Sequence, residues 1–279
     1  MKIVILVGHT KSGTAFLAEA VRSSGRIAVL GSNEVKAMSP AAMQHKAETT
    51  PVYAYHQNAV NVPEYMEKLK NFAADGPVFI VYRNPIDAAL SLVRQMMHGE
   101  TGSFDAGLTR SVVFGSHPLK DIPKSFQDGP FREVVKDRYD YVRSARIVRE
   151  NFPLERIKEY VFEEFVSDST RIMADLSEAL GEEITAPGGP VNVSYTARSR
   201  TLYHLMNAAF VRVTGLDSSL IRRAAVSGTK RGLLPRLYRL NQRSPDTLLT
   251  ARQRQVILET LSFDISAFNK LTGLNPNWN

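Results

Sequence analysis

An all-apolar run, Ile3-Val4-Ile5-Leu6-Val7, leads directly into Gly8-His9-Thr10-Lys11-Ser12-Gly13-Thr14-Ala15-Phe16. Five apolar residues without alternation predict a strand buried on both faces, which is the habit of parallel sheets. In the stretch Thr14–Ser24 that follows, Phe16, Leu17, Ala20 and Val21 fall on one helical face. The chain must therefore fold around a strand, a glycine-bearing turn and a helix.

The rest of the chain repeats that grammar. Val52–Tyr55 reads as a short strand and Val62–Phe72 as a helix starting near Pro63. Val78–Tyr82, entered through Gly76-Pro77, is the clearest strand, and Ile86–His98 continues after Pro85 as a helix. Phe131–Asn151 predicts a helix, Ile157–Phe162 a strand and Thr170–Leu180 an amphipathic helix stopped by Gly181. A last helix runs from Thr250, its N-cap, to Gly273. Strands alternating with helices predict an α/β protein, a central parallel sheet flanked by helices on both faces. With 279 residues, 43% of them hydrophobic, one domain accounts for the chain, 1–279. Within it, 99–130 reads as a Gly/Pro/Ser-rich loop or lid, and 198–279 as a basic helical part.

A turn between a strand and a helix N-terminus aims backbone N–H groups at one point, and the helix dipole favours an anion there. Gly8 and Gly13 let backbone approach a phosphate closely, and Lys11 adds a positive charge. The spacing is that of an NTPase loop, but such a loop has Lys and then Ser/Thr after its second glycine. Here those places hold Thr14 and Ala15. Ala15 cannot ligate magnesium, so the turn suits phosphate without the metal chemistry of γ-phosphoryl transfer.

The chain has no cysteine, which excludes a disulfide framework, a thiolate metal site and a cysteine nucleophile. No apolar stretch approaches the roughly 20 residues of a membrane helix, and the chain is expected to be soluble and cytoplasmic. The net charge of +7 is concentrated between Arg198 and Arg254. That stretch reads either as a solvated basic face or as a surface for a polyanionic ligand.

Two segments together resemble the PAPS-dependent sulfotransferases, where PAPS is 3'-phosphoadenosine-5'-phosphosulfate. Their phosphosulfate loop reads Pro-Lys-Ser-Gly-Thr-Thr-Trp. Thr10–Phe16 is similar at Lys11, Ser12, Gly13 and Thr14, and departs at Thr10, Ala15 and Phe16. The family's second motif is a strand, then Arg-Asn-Pro-x-Asp and a Ser eight residues after the Arg. Here Val78–Tyr82 precedes Arg83-Asn84-Pro85-Ile86-Asp87, and Ser91 follows. Tyr160–Phe165 with the helix ending Leu180-Gly181, and the final stretch bearing Trp278, are similar to further family segments. The resemblance implies a P-loop-containing nucleotide-binding fold and sulfuryl transfer from PAPS, with release of adenosine 3',5'-bisphosphate (PAP) and no metal.

The same resemblance assigns roles. Lys11 and the backbone of Ser12, Gly13 and Thr14 would hold the 5'-phosphosulfate, Lys11 also stabilising the leaving phosphate oxygen. Arg83 and Ser91 would bind the 3'-phosphate, and Phe16 and Phe162 the adenine. Arg83 could instead pair with Asp87, and Phe162 could simply be core. Lys230-Arg231-Gly232 resembles a segment that closes over the 3'-phosphate. The base for the acceptor would be His56, although the family's lysine two residues earlier is Ala54 here. His9 and Glu34 are rivals. The acceptor would be a small molecule, carbohydrate or lipid, with no nucleic acid expected. A small-metabolite kinase and a basic polyanion-binding module are the competing readings.

Overall fold

The structure is a computed structural model that describes residues 2–56, 60, 62–72, 75–97, 135, 138–188, 250–261 and 263–278. The expected lid at 99–130 and most of the basic part at 198–279 lie outside the described residues, as do Lys230, Arg231 and Gly232.

Five parallel strands form one sheet among the described residues: β1 (Ile3–Gly8), β2 (Ala28–Leu30), β3 (Val52–His56), β4 (Val78–Tyr82) and β5 (Ile157–Val161), in the order β2-β3-β1-β4-β5. Helices α1 (Thr14–Ser23), α2 (Ser32–Ala37), α3 (Pro40–Thr49), α4 (Pro63–Phe72), α5 (Pro85–Met97), α6 (Tyr141–Asn151), α7 (Phe162–Ser167), α8 (Thr170–Leu180), α9 (Ala251–Leu261) and α10 (Ile265–Thr272) surround it. The α/β class and the doubly covered parallel sheet are as the sequence predicts.

The strand alternation sorts the core into two layers. Ile3, Ile5, Val7, Val52, Ala54, Val78, Ile80 and Tyr82 face one side, where α3, α4, α5, α6, α9 and α10 pack. Val4, Leu6, Tyr53, Phe79 and Val81 face the other, against α1 and α8. All five residues of β4 are 0% exposed. Each such aliphatic side chain contributes roughly 1.5–3 kcal/mol of burial, which is why an unbroken apolar run suits this position.

Several boundaries differ from expectation. The short β2 and the helices α2 and α3 had not been assigned. The helix expected over Phe131–Asn151 is interrupted: Val135 is helical, residues 138–139 form a turn, and α6 starts anew at Tyr141, where the Asp140 carboxylate accepts the Arg143 N–H at 2.9 Å as an N-cap. Phe162, placed at the end of a strand, is instead the first residue of α7. The helix from Thr250 is two helices. Its start is a reciprocal cap between Thr250 and Gln253 (2.9 and 3.3 Å), as expected of Thr250. Asp264 then caps a second helix by accepting the Ala267 N–H at 2.9 Å, and Gly273 ends it at φ 73°.

Candidate functional site

In the order β2-β3-β1-β4-β5, the chain leaves β1 toward one edge of the sheet and leaves β4 toward the other. Such a switch point opens a crevice at the carboxyl ends of the two strands. The loop Gly8–Gly13 and Arg83 both occupy that edge.

The loop is shaped by close contact. A Cβ on Gly8 would stand 2.4 Å from the Thr14 methyl. Gly13 has φ 93°, and a Cβ there would lie 2.5 Å from the Phe162 ring and 2.8 Å from Phe165. Lys11 also holds a left-handed backbone, φ 70°. Ser12 is fully buried, with its N–H and hydroxyl both donating to the His9 carbonyl (3.2 and 2.7 Å). The Thr10 carbonyl accepts from the Tyr139 hydroxyl at 3.2 Å, and the Lys11 carbonyl from Arg83 Nη1 at 2.9 Å. Three successive carbonyls are thus held by the scaffold. In a trans peptide the next N–H points the opposite way, so the N–H groups of Thr10 and Lys11 face away from those anchors. Thr14 then opens α1; the Phe16 N–H already bonds the Gly13 carbonyl at 3.0 Å, and the N–H groups of Thr14 and Ala15 precede the helical ladder.

Arg83 joins the two expected motifs. Its guanidinium donates to the Lys11 carbonyl and lies 4.5 Å above the Phe162 ring, rather than pairing with Asp87. Its Nε is buried and has no hydrogen-bond partner among the described residues. Asn84 caps α5, its Oδ1 accepting the Ile86 N–H at 3.0 Å. Ser91 lies half-buried on the second turn of α5. Phe16 and Phe162 both flank Phe165, at ring separations of 5.8 and 5.2 Å. Both are half-buried, so Phe162 packs on Phe165 while part of its side chain stays accessible. The sequence brought Lys11, Ser12, Gly13, Thr14, Arg83, Phe16 and Phe162 to notice, and the fold gathers them at one end of the sheet.

His56 ends β3, in register with Val7 of β1, and so stands at the same edge on the other side of the loop. It is 4% exposed and packs on Tyr65 at 4.2 Å. Desolvation, helped by the Lys36 ammonium, lowers its pKa to about 4. Lys36 in turn lies 4.9 Å over the Tyr65 ring. Lys36 was missed by sequence reasoning, because it reaches the site from α2. His9, the rival base, is 1% exposed, donates from Nδ1 to the Arg138 carbonyl at 3.1 Å and has a pKa lowered to about 4 by burial. It is built into the wall behind the loop. Glu34, on α2, lies near Tyr55: both would stand 3.1 Å from a Cβ on Gly31. No described helix is long and apolar enough to cross a membrane.

No family model and no curated protein sequence matches the chain. Among solved structures it is similar to a sulfotransferase from Alicyclobacillus acidocaldarius, with 16% identity over 75% of this chain and 91% of that one, TM-score 0.43. It is also similar to a mouse sulfotransferase solved in complex with PAP, with 16% identity over 76% of this chain and 64% of that one, TM-score 0.39. A third is the sulfotransferase domain from the curacin biosynthetic pathway, with 14% identity over 94% of this chain and 98% of that one, TM-score 0.42.

Proposed function

We propose that the chain is a PAPS-dependent sulfotransferase acting on a hydroxyl or amine of a small-molecule, carbohydrate or lipid acceptor. The observation that carries this reading is the bond from Arg83 Nη1 to the Lys11 carbonyl, which unites two anion-binding segments in one crevice. Arg83 Nε is buried with no hydrogen-bond partner among the described residues, a donor suited to a phosphate oxygen. A nucleotide with phosphates at both ends fits two cationic sites flanked by Phe16 and Phe162.

In this reading PAPS supplies an activated sulfuryl group, and the residues divide the remaining work. Lys11 and the first turn of α1, with Ser12, Gly13 and Thr14 shaping the loop, hold the phosphosulfate end. Lys11 neutralises the charge that grows on the departing phosphate oxygen, lowering the barrier selectively. Arg83 and Ser91 take the 3'-phosphate, with Lys230-Arg231-Gly232 closing over it, and Phe16 and Phe162 take the adenine. His56, neutral at pH 7, accepts the acceptor's proton as its oxygen or nitrogen bonds to sulfur and the sulfur–phosphate oxygen bond breaks. The negative charges of the nucleotide oppose that of Lys36 and raise the basicity of His56 in the loaded site.

Thermal unfolding tests the reading. A ligand at about 100 times its Kd stabilises by roughly 2.7 kcal/mol, a readily measured shift. PAP should stabilise the wild type and neither Lys11→Ala nor Arg83→Ala. Stabilisation by magnesium-ATP in place of PAP would overturn the proposal in favour of a kinase.

A further inference from the structure

Glu163, the second residue of α7, takes no part in the scheme above, yet its carboxylate makes two long-range bonds. Oε1 accepts the Asn84 backbone N–H at 3.0 Å, and Oε2 accepts the Trp278 indole N–H at 3.0 Å. The Asn84 N–H belongs to the peptide that follows Arg83 directly. That peptide is thus held at Asn84 by Glu163, while the Arg83 side chain is held at the Lys11 carbonyl. Trp278, 6% exposed, stacks on Phe268 at 5.4 Å and neighbours Phe263 and Tyr141 at 5.7 and 5.8 Å. Tyr141 continues the contact to His9 at 4.6 Å, behind the loop.

A carboxylate beside an anion site opposes the ligand by Coulomb repulsion. Its two charge-assisted bonds give the position a different purpose. We infer that Glu163 is a positioning residue that ties the segment 263–278 to the aim of Arg83, and so sets selectivity for a nucleotide bearing a 3'-phosphate. The inference rests on the nucleotide reading proposed above. It separates from simple electrostatics by sign: removing the charge without altering shape should tighten the nucleotide if repulsion dominates, and loosen it if positioning does. Glu163→Gln retains one acceptor oxygen but presents an N–H₂ to one of the two donors.

The experiment measures, by calorimetry, the Kd of PAP and of adenosine 5'-monophosphate, which lacks the 3'-phosphate, for the wild type, Glu163→Gln and Trp278→Phe. We expect Glu163→Gln to weaken PAP about tenfold while adenosine 5'-monophosphate changes less than about twofold, the loss of one charged hydrogen bond. Trp278→Phe, which keeps a ring but removes the donor, should weaken PAP about threefold in the same selective way. Tighter PAP binding, or equal loss for both nucleotides, overturns the inference. Amide hydrogen exchange at Asn84, measured without ligand, keeps the test independent of the nucleotide reading. Glu163→Gln should speed that exchange about tenfold or more, and unchanged exchange overturns the positioning role even if the wild type binds no PAP at all.

Discussion

The two sides of the sheet's carboxyl edge are held in different ways. On the β1/β4 side, the carbonyls of His9, Thr10 and Lys11 are bonded by Ser12, Tyr139 and Arg83, and Gly13 is wedged against Phe162. On the β3 side, His56 rests on the ring of Tyr65 and feels the charge of Lys36, an exposed residue of α2. One side is fixed by hydrogen bonds to loop carbonyls, from Ser12 within the loop and from Tyr139 and Arg83 outside it; on the other, ring packing and a nearby charge shape the surroundings of His56. A site that must match phosphate oxygens gains from rigid donors.

The strongest way to break this contrast is Gly13→Ala. Alanine at φ 93° with its Cβ 2.5 Å from Phe162 combines backbone strain with overpacking, and should cost roughly 2–4 kcal/mol, read by urea unfolding, with loss of PAP binding. Next is pH. Burial holds His9 neutral down to about 4, whereas the unfolded residue titrates near 6.5. At pH 7 the two states agree. As pH falls from 6.5 toward 4, only the unfolded chain takes up the proton, so stability drops by on the order of 3 kcal/mol and then levels off. His9→Gln should flatten that decline in unfolding measured at pH 7, 6 and 5.

Tyr139→Phe sharpens the comparison. The hydroxyl is shared between the Thr10 and Ala88 carbonyls at 3.2 and 3.1 Å, so its loss frees a loop carbonyl and should cost about 1–2 kcal/mol and weaken PAP. The smallest effect belongs to the packed side. Lys36→Met removes the charge that helps depress His56, so the acid limb of kcat/KM for the free enzyme, set near 4, should move upward by about a few tenths of a pH unit. A limb that stays put would detach Lys36 from the group that sets it, or His56 from the proposed role of base.

What the sequence revealed divides along similar lines. β4 and α8 were legible to the residue, because Val78–Tyr82 is unbroken and Thr170–Leu180 has clean helical spacing with Gly181 as its stop. β2 is three residues long, and α3 buries only Met43 and Ala47, so neither carries a periodic signal. The expected helix over 131–151 misses the break at 138–140, where Asp140 carries a cap signal; Tyr139, in the turn, donates to the Thr10 and Ala88 carbonyls. Lys11 and Arg83 were each found locally, but the bond between them spans 72 residues. Glu163 lies in the stretch Tyr160–Phe165 that the resemblance covers, but its bond to Asn84 spans 79 residues and leaves no trace in local spacing. Spacing along the chain names the parts of such a site, while topology decides which of them meet.

Lys11 keeps a left-handed backbone that glycine would adopt at no steric cost. Under the proposed role of Lys11 at the leaving oxygen, selection for a sturdier protein and selection for its ammonium pull this position in opposite directions. On that reading, Lys11→Gly raises thermostability by about 1 kcal/mol while the proposed sulfuryl transfer is lost, as unfolding and turnover measured side by side would read. A library screened for heat resistance alone would be expected to collect that change and return a more durable, inactive chain.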